Sequence, residues 1–67
     1  MSVSDRDIYA TALQLIRLHG EAASFEAALK ADEQIARGDV DGEQVWKRIG
    51  AAILVLTNEP PPDAVRH

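Results

Sequence analysis

Apolar residues recur at every third or fourth position in three stretches of this chain, and glycines separate the stretches. The first stretch runs through Ile8, Ala12, Leu15 and Ile16, and Gly20 ends it. Such spacing places the apolar side chains on one face of an α-helix. No segment alternates apolar and polar residues as a half-buried strand does, so the sequence predicts an all-α fold.

The second and third stretches have the same helical period. Their apolar stripes are Phe25, Ala28, Leu29, Ile35 and Ala36 in the second, and Val45, Trp46, Ile49, Ala52, Ile53 and Leu56 in the third. Gly38 stops the second helix, and Asp39 or Asp41 can act as the N-cap of the third. Because short connections make neighbouring helices antiparallel, we expect a compact three-helix bundle over residues 1–57.

Residues 58–67 contain Pro60, Pro61 and Pro62. Consecutive prolines cannot continue a helix and favour an extended polyproline backbone. The sequence therefore predicts a disordered, mobile C-terminal tail.

Length and charge restrict the classes of function. A chain of 67 residues forms one domain at most, and so small a core gains stability readily by self-association. A net charge of −4 disfavours nucleic acid and anionic membrane surfaces as partners. The longest apolar run, residues 51–56, is far shorter than the ~20 residues of a membrane span, and the polar start is not a secretory signal. We therefore expect a cytoplasmic protein.

The residues that could support chemistry are few. There is no cysteine, and the two histidines are His19, at the end of the first stripe, and the terminal His67. The segment 39–42 superficially resembles a calcium loop, but Arg37 and Arg48 would occupy its first and twelfth positions, where acidic ligands are needed. We expect no catalytic residue, metal or cofactor, and thus no enzyme.

Asp32 falls near the centre of the second apolar stripe, where a carboxylate is costly unless it is hydrogen-bonded. Folding the helices against one another brings it level with Tyr9 and Trp46. We predict a structural polar layer of these three residues, in which the phenol or the indole donates to the carboxylate. The alternative is an acid that binds a ligand or handles protons in a small pocket.

The third helix carries an excess of apolar surface. Leu54 and Val55 fall roughly opposite its main stripe, and Leu18 lies off the stripe of the first helix. A helix that is apolar on every side is buried on every side. We predict an interface of Leu18, Leu54 and Val55 with a second copy or another protein; the alternative is scattered exposed aliphatic side chains.

The second and third helices also allow a helix–turn–helix interpretation, with Gln44, Lys47 and Arg48 facing outward from a recognition helix. Against it, Asp39 and Glu43 crowd the start of that helix, where acid repels phosphate. The leading prediction is therefore a non-enzymatic protein–protein interaction module that self-associates, and a DNA-binding transcriptional regulator is the alternative.

Four runs together resemble a group of short bacterial helical proteins of unknown function. They are ALQLIRLHG at 12–20, AALKAD at 27–32, GDVDG at 38–42 and VWKRI at 45–49. The resemblance covers about residues 4–56. It implies a compact helical domain and no assigned activity, and it carries over no functional residue.

Overall fold

The regular structure of the chain is helical throughout the described part. The computed structural model describes residues 4–58, which form α1 (Asp5–His19), a 3-10 turn (Gly20–Ala22), α2 (Ala23–Ala36) and α3 (Val40–Thr57). No strand occurs between residues 4 and 58, which confirms the all-α class. The tail predicted for residues 58–67 lies outside the described residues, apart from Asn58, which ends α3.

Short polar side chains begin α1 and α3. The Oγ atom of Ser4 accepts a hydrogen bond from the Asp7 backbone N–H at 3.2 Å, and Oδ1 of Asp39 accepts one from the Gly42 N–H at 2.9 Å. Each bond satisfies a first-turn donor that has no partner within the helix. Asp39, rather than Asp41, is therefore the N-cap of α3.

The turn between α2 and α3 depends on a glycine. Gly38 has a φ of 74°, which glycine adopts without the steric penalty of a Cβ atom. Its N–H donates to the Ile35 carbonyl at 3.0 Å, and the Asp39 N–H donates to the Gln34 carbonyl at 2.8 Å. These two bonds form a Schellman motif, which ends α2 and allows α3 to fold back along it.

The core of the described chain is small and rich in alanine. Its buried apolar side chains are Ile8, Ala12, Ala23, Ala27, Ala31, Ile49, Ala52 and Ile53. Partly buried side chains packed against this core are Leu15, Ile16, Val45 and Trp46. α3 contacts both other helices and makes its most extensive contact with α2, so the core lies along α3.

α2 buries its alanines instead of its large apolar side chains. Phe25, Leu29 and Ile35, which were expected in the core stripe, are 63%, 41% and 53% exposed. A methyl group placed on Gly50 of α3 would stand only 3.8 Å from the Cβ atom of Ala27. Because the two helices approach so closely, a larger side chain does not fit between them. The predicted core stripe of α2 is therefore wrong, and its alanine stripe packs in its place.

Candidate functional site

A groove of about 320 Å³ runs between α2 and α3. Its apolar walls are formed by Ala27, Ala28, Ala31 and Ile35 of α2 and by Trp46, Gly50 and Leu54 of α3. Residues three or four positions apart lie on one face of a helix, so each wall is a continuous stripe. The groove thus offers a concave apolar surface along the two helices.

Two opposite charges line this groove, Asp32 on α2 and Lys47 on α3. Asp32 is exposed and forms no hydrogen bond or ion pair with another residue in the part that the structure describes. Lys47 pairs within its own helix, where its Nζ lies 2.6 Å from Oε2 of Glu43. The groove therefore has a carboxylate on one wall and a lysine ammonium group on the other, and the two do not pair with each other.

The predicted layer of Asp32, Tyr9 and Trp46 does not form. Asp32 lies at the surface, so its predicted burial is wrong. Trp46 lines the same groove, whereas Tyr9 lines a different hollow between α1 and α3. The reason is the orientation of α2: with Ala31 turned into the core, the next residue points about 100° away from it.

The hollow between α1 and α3 has a volume of about 230 Å³ and contains a long-range ion pair. Nη2 of Arg48 lies 2.6 Å from Oδ1 of Asp5. The pair joins the start of α1 to the middle of α3, across 43 positions of sequence. Sequence analysis missed it because no local pattern links residues so far apart; helix packing alone brings them together.

The predicted interface residues do not share one hollow. Leu54 is half-buried in the α2–α3 groove, and Val55 is exposed beside the α1–α3 hollow. Leu18 is exposed in the last turn of α1 and lines neither of the two. Leu54 therefore faces α2 instead of pointing away from the other helices. That these side chains contact a partner stays a prediction.

The outer face of α2 is the apolar surface that the sequence-based expectations omit. Phe25 and Leu29 are one helical turn apart and both are exposed. Ala28 lies one helical turn after Phe25 and also lines the groove, so the apolar surface continues from the groove to Phe25. The sequence does contain a sign of this surface. The alanines of α2 and its large apolar residues both recur with a helical period, and only one of the two sets can face the core.

Residues 4–58 hold neither a metal-binding cluster nor a helix suited to crossing a membrane. Within residues 4–58, no group of three or more His, Asp or Glu side chains is placed to hold a metal ion. None of the helices in this range combines the length and the apolar character needed to cross a bilayer. The carboxylate of Asp39, in the segment that superficially resembles a calcium loop, caps α3.

Comparison with protein-family models, with curated proteins and with solved structures gives no match.

Proposed function

We propose that this chain is a non-enzymatic protein-interaction module that self-associates, a cytoplasmic three-helix bundle that uses α2 and α3 as its contact surface. One observation carries the proposal: α2 buries alanines and leaves Phe25, Leu29 and Ile35 exposed. Phe25 and Leu29 lie one helical turn apart, and such neighbouring exposed apolar side chains mark an interaction surface more often than scattered single ones do.

The composition of the core supports the same proposal. Among residues 4–58, the large buried side chains are Ile8, Ile49 and Ile53, and the remaining buried apolar residues are alanines. Each large apolar side chain contributes about 1.5–3 kcal/mol when it is fully buried. Burying Phe25 and Leu29 at an interface would therefore add a substantial fraction of what the three isoleucines supply, and small domains commonly gain stability in this way.

The helix–turn–helix alternative has less support. α2 and α3 are neighbours at two places along their length: Gly42 lies beside Gln34, and further along α3 Gly50 lies beside Ala27, which comes earlier in α2. These places are about two helical turns apart on each helix, so the pair is an antiparallel hairpin. In a helix–turn–helix the two helices cross at about 90–120°. The net charge of −4 also opposes binding to phosphate.

Sedimentation velocity over a wide dilution series tests the proposal. The weight-average mass of the parent is expected to rise above the chain mass of 7.3 kDa with concentration. Leu29→Glu should suppress the rise because it places a charge on the apolar face of α2. Leu13→Glu on α1 is the matched control, since Leu13 is exposed to a similar extent as Leu29, 45% against 41%.

A parent that stays monomeric throughout the series would contradict self-association. Titration with mixed-sequence duplex DNA at low salt, where electrostatic binding is strongest, tests the alternative of a DNA-binding regulator. Binding that weakens steeply as salt is added would favour the DNA-binding regulator over the interaction module.

A further inference from the structure

We infer that the α2–α3 groove receives a second copy of this chain about a two-fold axis, and that Asp32 of each copy pairs with Lys47 of the other. The inference rests on the proposed self-association and adds the contact surface, the symmetry and the specific pairing.

The shape of this side of the molecule favours a second copy as the occupant. In a two-fold interface the same patch is used twice, so each wall must fit the wall of the partner that it meets. With the axis along the groove, the α2 wall of one copy lies on the α3 wall of the other. The α2 side carries the larger exposed side chains, Phe25 and Ile35, whereas the α3 wall has no side chain at Gly50.

The charges that line the groove are also complementary between two copies. Asp32 lies on one wall and Lys47 on the other, and they do not pair with each other within one copy, where Lys47 pairs with Glu43. A two-fold axis that runs along the groove places the α2 wall of each copy against the α3 wall of its partner, and so Asp32 against Lys47. Two equivalent ion pairs then form, and they select this orientation over others.

Other occupants fit these features less well. An anionic membrane surface is opposed by the net charge of −4 and by Asp32 at the groove itself. A small apolar ligand would fill the groove but would leave the outer face of α2, with Phe25 and Leu29, exposed to water.

Charge reversal gives a direct test by sedimentation velocity at low salt. Asp32→Lys and Lys47→Glu, each alone, place like charges across the two-fold axis, and each is expected to weaken the dimer by about tenfold or more. An equimolar mixture of the two variants restores both opposite-charge pairs in a heterodimer. The mixture is therefore expected to recover association to within about threefold of the parent, although each component alone stays largely monomeric.

Matched controls come from another side of α2. Lys30 and Glu33 form an ion pair there with a distance of 3.7 Å, and neither lines the groove. Glu33→Lys and Lys30→Glu change the net charge by the same amounts as the two groove variants. They are expected to leave the dimer affinity within about threefold of the parent, and circular dichroism checks that all four variants stay helical.

The outcomes separate this inference from the proposed function. If the parent associates while the groove variants behave like the controls, self-association stands and the groove is not its site. If the mixture fails to associate although each single variant is weakened, the pairing of Asp32 with Lys47 is wrong. A trimer, which has no two-fold contact between its copies, overturns the two-fold arrangement, and a monomeric parent overturns the proposed function itself.

Discussion

Ala27 of α2 lies beside Gly50 of α3, so close that a methyl group on the glycine would stand 3.8 Å from the alanine Cβ atom. Two small residues at the same level bring the helix axes together and leave no space between them for a large side chain. This contact determines the orientation of α2, and therefore which of its side chains remain for a partner.

Enlarging the alanine at this contact is expected to destabilise the fold. Ala27→Leu inserts three extra carbons where α2 and α3 already touch, and should lower the free energy of unfolding by about 1–3 kcal/mol. Phe25→Ala, on the exposed side of the same helix, should change it by less than about 0.5 kcal/mol in a dilute monomer. Urea denaturation at low protein concentration measures both, and equal losses would contradict the observed orientation of α2.

Two glycines are expected to respond oppositely to alanine. Gly50 lies inside α3, where an added methyl meets Ala27 at ordinary contact distance, so Gly50→Ala should raise the free energy of unfolding by about 0.5–1 kcal/mol. Gly38 has a φ of 74°, where a Cβ atom strains the backbone. Gly38→Ala should therefore lower the free energy of unfolding by about 1 kcal/mol. Thermal melts of the two variants beside the parent test the prediction, and a shift in the same direction for both would refute it.

The N-cap of α3 can be identified by substitution. Asp39→Ala removes the acceptor for the Gly42 N–H and should cost about 1 kcal/mol of unfolding free energy. Asp39→Asn keeps an oxygen at that position and should retain most of the stability. Asp41→Ala is the control within the same turn, and chemical denaturation should show it to be the milder change. A larger loss at Asp41 would place the cap two residues later.

The ion pair between Asp5 and Arg48 is expected to contribute little and to depend on salt. Both side chains are solvent-exposed, and surface pairs are worth about 0–1 kcal/mol. Asp7→Asn removes an equivalent charge from the first turn of α1, so the extra cost of Asp5→Asn over Asp7→Asn isolates the pair. Denaturation curves should show this difference shrinking toward zero at about 1 M salt, where charges are screened within about 3 Å. A difference that persists at high salt would mean that Asp5 acts through something other than charge.

The sequence by itself determined the helical class and much of the helix boundaries. Ser4, Asp39 and Gly38 act on backbone groups only a few residues away, so their effects can be predicted from local chemistry. The buried faces of α1 and α3 were predictable from the helical period around Ile8 and Ile49, but Leu56 at the end of the predicted α3 stripe is 41% exposed.

Only the tertiary structure decided the orientation of α2 and the site that follows from it. Both stripes of α2 satisfy the helical period, and the choice between them depended on the close approach of α3, a contact between residues distant in sequence. That contact moved Asp32 to the surface, placed Leu54 in the groove with Trp46, and left Phe25 exposed. Local periodicity identifies the faces that a helix can bury, but the face it does bury depends on the size of the side chains that its neighbour presents.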